Sequence, residues 1–490
     1  MPASELIERV AQLIEQNAGR ASEPTRSEMI ALEQRLREPL RIAVAGRVKA
    51  GKSTLVNALL GQRVAPTDVS ECTRVVTWFK YGHPERLVIN LRSGGEHVSQ
   101  LAAGGTLPRE LEVPVEQVAS VHAYLANTTL RSMTLIDTPG LGSVHDDYSR
   151  ATRDLIAADS AGAASTADAI VFLMGGAMMA DELETLQLFK GGDGETESSA
   201  ANAVGVLSRA DQLGDGTRDS WEVAVELAGR YAGTFRNELA TVVPVAGLVA
   251  EAAEAALLTE RDVRELSRLA QLDSKVLSRM LWSADRFSST DAPVPAETRE
   301  RLLELLDLYG IGAATRALSD GVSGAISLRQ SLASVSGIAE VKQTLASHFH
   351  EQDHVLKVRS ALDVLRRLSY RGVGDGPRDP GLERLRGEVE KLTLDPVMHP
   401  IAELEVAHDC NVGRLELPPE MLEEMRVLFA PGTPRARLGA PSGDPEALRE
   451  AAISGMRRWR SFKVTGATPA QSRACDVVMR SFQLLLPAAT

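Results

Sequence analysis

GRVKAGKS, residues 46 to 53, is the stretch on which the fold turns. It satisfies G-x-x-x-x-G-K-[ST], follows the apolar run RIAVAG at 41 to 46, and leads into STLVNALLG, whose pattern is helical. A strand, a glycine-rich turn and a helix in that order let main-chain N–H groups converge on phosphate oxygens, with the positive end of the helix behind them. The phosphate-binding set is therefore Gly46, Val48, Lys49, Ala50, Gly51, Lys52, Ser53 and Thr54. Lys52 is expected to reach the outer phosphates and Ser53 to ligate Mg2+. The alternative is a glycine turn that binds nothing, and the strand and helix flanks argue against it.

Downstream, IDTPG at 136 to 140 ends an apolar run with Asp137, placed to hold magnesium through water, and Gly140, whose N–H can sense a γ-phosphate. Between the two motifs lies TDVSECTRVVT, 67 to 77, where a threonine can complete the magnesium shell and order a switch loop. Thr73, just before the next strand, is preferred over Thr67; a simple turn residue is the alternative. VLSRAD at 206 to 211 has the form of the guanine-reading motif, with Ser208 and Arg209 ahead of Asp211. A carboxylate there accepts from the guanine ring N–H and exocyclic amine, while the Arg209 stem covers the base. Such a site rejects adenine by about 10⁴-fold, because the wrong base leaves a buried acceptor unpaired. Read otherwise, Asp211 is a salt-bridging residue at a strand end. VVPVAG at 242 to 247 closes the series with Ala246 and Gly247, whose N–H groups are candidates for guanine O6. Substrate and product are then GTP and GDP.

The runs 74–80, 86–92, 133–137, 169–174, 203–208 and 241–246 read as further strands, several apolar throughout, as strands buried on both faces require. Helical patterns intervene at 52–60, 148–158, 180–190 and 219–238. The class is α/β, a mostly parallel sheet with helices on both faces. Beyond about 248 the patterns turn helical: 249–284, 296–318, 338–371, 382–393, 418–429 and 445–463, with two amphipathic helices in 3–38. Turn-rich joints stand at 371–381 and 430–445, and GGDGETESS at 191–199 is expected to be a loop. The expected organisation is an N-terminal helical segment over 1–39, a nucleotide domain over 40–345 with a helical extension from about 248, and a helical bundle over 346–490.

Composition narrows the function classes. With 490 residues the chain exceeds one ordinary core. A net charge of −12 argues against nucleic acid as a partner. Three separated cysteines give neither a disulfide framework nor a zinc site and suit a cytoplasmic setting. The N-terminus lacks the pattern of a signal peptide, and no apolar run reaches eighteen residues, so any membrane contact is peripheral, on the inner face of the plasma membrane.

Together, GRVKAGKSTLVNALLG, the Thr73–Arg74 pair, DTPG and SRAD, with helices before and after, resemble the dynamin superfamily. More narrowly, KAGKSTLVNAL, APTD with ECTR and VTWF, and SALDVLRRL resemble the isoniazid-inducible dynamin-like proteins of mycobacteria. The resemblance implies a large GTPase of low nucleotide affinity that dimerises across its nucleotide face and uses a helical stalk to remodel or maintain membranes, with a related dynamin-like protein as a further candidate partner. The chain departs from dynamins proper in carrying Val48 and Lys49 where they have polar, water-positioning residues, and Leu141 after DTPG supplies no substitute. Lys49 sits where guanylate-binding relatives carry an internal arginine finger, a device worth about 10³ to 10⁵ in rate. It is therefore a catalytic candidate with Lys52 and Thr73; a lysine facing solvent or an acidic neighbour is the alternative. QLGDGTR at 212–218 resembles the dynamin loop that reaches a partner's nucleotide.

Two further clusters invite chemistry. His350 and His354 stand one helical turn apart, a spacing that suits a metal, though a solvated helix face accounts for it. MRRWRSF at 456–462 could meet anionic lipid; a buried Trp459 in a basic helix is the simpler reading. The rival functions are a GTPase switch in RNA or ribosome maturation, disfavoured by the acidic charge, and a catalytically weak nucleotide-binding partner of a related GTPase.

Overall fold

The computed structural model describes all residues except 1–2, 24, 68–74, 103–104, 140–166, 177–202, 214–218, 236–237, 351–352, 371–379, 394, 412, 431 and 487–490. Thr73, Arg74, Gly140 and Leu141 lie outside the described residues, as do the expected helices at 148–158 and 180–190 and the loop at 191–199.

Nine strands form one sheet among the described residues: β1 Leu40–Gly46, β2 Thr77–Tyr81, β3 Arg86–Leu91, β4 Glu96–Ser99, β5 Val118–Leu125, β6 Met133–Asp137, β7 Ala169–Met174, β8 Ala203–Ser208 and β9 Val242–Val245. Their order is β4-β3-β5-β2-β6-β1-β7-β8-β9. β1 pairs in parallel with β6 and β7, β7 with β8, and β8 with β9. The β3, β4 and β5 edge is antiparallel within itself, and β2 joins it to β6. The alternation along β7 shows why these strands are apolar throughout. Ala169, Val171 and Leu173 enter a core with Leu55 and Leu59 of the helix Lys52–Leu60, whereas Ile170, Phe172 and Met174 enter another with Ala224 and Leu227 of the helix Ser220–Thr234. Helices thus cover both faces, and neither face tolerates polar side chains.

Strands β4 and β5 were not expected. β4 is an exposed polar edge, and β5 interleaves Ser120 and His122 with buried Val121 and Ala123, so neither forms a continuous apolar run. The pattern read as one helix over 249–284 is four: Gly247–Glu254, Glu260–Ala270, Ser274–Met280 and Ala284–Ser289. Side-chain caps on Thr259, Asp273 and Ser283 start the last three. Each satisfies N–H groups that a continuous helix would bond internally.

The helical part has separate cores. Val249, Leu266, Phe287, Leu302 and Leu328 form one beside the sheet. Leu6, Val10, Ile14 and Leu36 pack with Val358, Leu365 and Val389, so the N-terminal helices Ala3–Ala18 and Thr25–Arg37 join the helices Asp353–Tyr370 and Pro380–Thr393 across most of the chain length. A buried ion pair fastens this bundle to the sheet: Arg35 Nη2 lies 2.9 Å from Asp168 Oδ1, and Asp168 Oδ2 accepts from the Arg41 N–H at 2.9 Å. A third core holds Leu428, Trp459, Val478 and Phe482. Trp459 is 0% exposed and donates its indole N–H to Glu424 at 3.0 Å, which agrees with the simpler reading of a buried tryptophan in a basic helix. A ring enclosed by helices, its polar tip already paired, has nothing to offer a membrane surface. Among the described residues no helix is long and apolar enough to cross a membrane, and no metal-binding group of three or more His, Cys, Asp or Glu occurs.

Candidate nucleotide site

The phosphate-binding turn leaves the sheet where β1 lies between β6 and β7, and the register sets Val44 beside Asp137 and Gly46 beside Leu173. Gly46 has φ 146°, and a Cβ there would stand 2.6 Å from the Leu173 carbonyl oxygen, so only glycine can open the turn. Gly51 (φ 94°) caps the helix Lys52–Leu60 in left-handed geometry. Lys49 takes φ 61°, unusual for a side-chain-bearing residue, and is exposed. Lys52 is buried, with Nζ donating to the carbonyls of Gly46 (3.2 Å) and Arg47 (2.9 Å). Burial lowers its pKa, and the nearby Asp137 opposes that shift.

Asp137 closes the other side. Its Oδ2 accepts from Ser53 Oγ at 2.9 Å, while its Oδ1 is buried without a protein partner. Burial raises its pKa against the pull of Lys52 and Ser53. An orphaned carboxylate oxygen beside a serine hydroxyl and an ammonium group is a donor set that suits a divalent cation bound with phosphate. Thr138 Oγ1 donates to the Val44 carbonyl at 2.9 Å and fixes the start of the segment after β6.

At the far end, Arg209 has φ 54° and donates from Nη2 to the Lys49 carbonyl at 2.8 Å, clasping the guanine motif to the phosphate turn. Asp211 has its carboxyl pushed up to about 6, chiefly by burial, with Asp307 adding to the shift and Arg209 opposing it. A cavity of about 550 Å³ runs between the two ends. It is lined by Val48, Lys49, Ala50, Gly51, Lys52, Ser53, Thr54, Asp137, Ser208, Arg209, Asp211 and Gly247. Thr67 also lines it, its Oγ1 accepting from Arg63 at 3.2 Å.

One expectation is corrected. Ala246 is 1% exposed, does not line the cavity, and donates its N–H to the Ser336 carbonyl at 2.9 Å, which leaves Gly247 of that pair at the cavity wall. Gly337 enforces this arrangement: at φ 78° its α-carbon packs so closely that a Cβ would stand 2.2 Å from the Pro244 carbonyl oxygen. Sequence reasoning did not place Gln212 in this cavity, which it lines while donating to Asp307 at 2.8 Å. Its place at the head of the 212–218 stretch was a signal toward a partner's nucleotide rather than toward this cavity, and Asp307, far along the chain, had none.

The comparisons with known proteins agree with this geometry. A sequence profile of the dynamin family matches residues 42–209. Over 467 residues the chain is 32% identical to the isoniazid-induced protein IniC of Mycobacterium tuberculosis, covering 92% of this chain and 91% of that protein. The chain belongs to the dynamin family. Within that family it is also similar to dynamin-like protein 2 of Campylobacter jejuni, at 29% identity over 133 residues, 26% of this chain and 22% of that one. Among solved structures, a bacterial dynamin pair described as sensing and tethering membranes aligns over 97% of this dynamin-family chain and 90% of its own. The identity there is 14% and the TM-score 0.35, too loose a superposition to carry an argument. Family membership makes GTP and GDP the expected ligands.

Proposed function

We propose that this chain binds GTP with magnesium and hydrolyses it to GDP and phosphate, and that it self-associates through the nucleotide face. The observation that carries the reading is one cavity with a phosphate-binding turn at one end and a half-buried carboxylate, Asp211, at the other. Ser53 and Asp137 would hold the metal, which neutralises phosphate charge when bound. Lys52, already desolvated and pointed into the turn, exchanges its carbonyl partners for phosphate oxygens. Asp211 accepts from the purine, and Arg209 keeps base and phosphate ends in register through Lys49. Lys49, exposed at the cavity rim, is the proposed charge-neutralising group, and Thr73 the proposed switch threonine. The nucleotide domain over 40–345 would pass its state to the helical bundle of 1–39 and 346–490, which acts peripherally at an anionic membrane surface.

Phosphate release from purified protein with GTP and magnesium, beside ATP, tests the catalytic reading: turnover of GTP alone is expected, and binding without turnover would leave a weak partner of a related GTPase. Specific activity that rises with protein concentration is the mark of self-association; a flat profile refutes it. Flotation with anionic vesicles, with and without GTP, tests the membrane role, and loss of vesicle binding in both states would remove it.

A further inference from the structure

The helix Ala296–Ser319 breaks at one residue. Asp307 has φ 54° and ψ 178°, a backbone region that belongs almost wholly to glycine. A side-chain-bearing residue stays there only when its surroundings fix it, and they do. Leu306 and Gly310 on either side are buried, and a Cβ on Gly310 would stand 2.7 Å from Val249. The Tyr309 hydroxyl donates to the Val335 carbonyl at 3.0 Å. The Asp307 carboxylate is divided between two donors. Oδ1 accepts the Leu308 N–H at 2.6 Å, which caps the second half of the helix, and Oδ2 accepts Gln212 Nε2 at 2.8 Å.

Gln212 directly follows Asp211 and lines the same cavity. The same helical turn also reaches the far side of this connection, because the Tyr309 ring stacks on Trp221, with centroids 6.3 Å apart and planes at 20°. Trp221 belongs to the helix Ser220–Thr234, whose N-cap is Asp219. Residues 307 to 309 therefore grip the chain on both flanks of the segment that leaves the base-reading motif.

We propose that Asp307 is a positioning residue for base recognition: through Gln212 it fixes where Asp211 presents its carboxylate, and so couples guanine binding to the kinked helix. The inference rests on Asp211 reading guanine, as proposed above. Asp307 is near enough to Asp211 to help raise its pKa, behind the larger effect of burial and against Arg209. A residue that merely caps a helix would leave guanine binding untouched.

Dissociation of fluorescent mant-GDP from the full-length chain, by stopped flow, tests this. Gln212→Ala removes the donor, and Asp307→Gly removes the carboxylate while easing the backbone. Each is expected to raise the dissociation rate about fivefold, and the double variant to be no faster than the faster single. Asp307→Asn keeps an acceptor oxygen but removes the charge beside Asp211. It should recover part of the loss and move to lower pH the point at which binding weakens. Single variants that dissociate like the wild type, or effects that multiply in the double, overturn the proposal. So does a loss of melting temperature in Asp307→Gly with unaltered dissociation. A wild-type chain that takes up no mant-GDP refutes the guanine reading and this inference together, whereas normal wild-type binding with unaffected variants refutes the inference alone.

Discussion

Asp211 gives the sharpest prediction, because the proposed guanine reading needs its charge and burial pushes its carboxyl up to about 6. The guanine ring N–H and exocyclic amine both donate, so the carboxyl must be ionised to accept both. Burial, with help from Asp307, pushes it up to about 6 in the free chain, and Arg209 only partly opposes this. Binding favours the ionised form, so the free protein holds more protons than the complex near that pH, and affinity must fall as pH falls through it. With a pKa of about 6 the carboxyl is about nine-tenths ionised at pH 7 and about one-tenth at pH 5, which weakens binding about tenfold across that interval. Nucleotide phosphates titrate in the same range, so the control is Asp211→Asn measured with the same mant-GDP. The phosphates titrate alike in both proteins, and the ratio of their affinities isolates Asp211. The variant should bind about 10²-fold more weakly at neutral pH, having lost a charged acceptor, and the ratio should narrow toward pH 5. It should also favour xanthine nucleotides, whose acceptor at the exocyclic position matches the amide donor. Parallel pH curves for wild type and variant would refute the argument.

Three other perturbations have definite outcomes. Lys49→Ala should slow GTP turnover about tenfold or more while retaining nucleotide binding, read by phosphate release beside mant-GDP titration; unchanged turnover removes Lys49 from the chemistry. Arg35→Ala removes one charged partner of the buried Asp168 and should cost about 2 kcal/mol in chemical denaturation, with earlier proteolysis between the N-terminal helices and the sheet. Gly337→Ala drives a Cβ against the Pro244 carbonyl at a positive φ and should destabilise the chain by about 2 kcal/mol or more, visible as a lowered melting temperature.

Much of the sheet was legible because a strand buried on both faces has few residue types to choose from: β1, β7 and β8 announce themselves as apolar runs, and the glycine turn after β1 has one workable geometry. β5 escaped because a strand half open to solvent interleaves Ser120 and His122 with its core residues. The break of 249–284 into four helices was written in Thr259, Asp273 and Ser283, but caps of that kind blend into a polar helix face until the chain direction is known. At the site, the order of the motifs was enough to expect the phosphate-turn residues and Asp211 on one cavity, and Val48 to Thr54 line one with Asp211. The fate of the Ala246 N–H could not be read from order, because its partner Ser336 comes from a helical segment some ninety positions on.

That last contact belongs to a pattern. Asn57, on the helix that carries the phosphate turn, donates to buried Glu251 at 2.8 Å, and Glu251 lies 3.4 Å from Arg63, which in turn donates to Thr67 on the cavity wall. Ser336 takes the Ala246 N–H, and Asp307 takes Gln212. Three separate pieces of the helical region beyond β9 thus hold the phosphate end, the wall and the base end of one cavity. Because close-packed helices shift as units and do not deform smoothly, these contacts cannot relax independently. On the proposed reading, a nucleotide that engages Lys52 and Asp211 would therefore act on the whole helical region, through hydrogen bonds that the protein itself supplies.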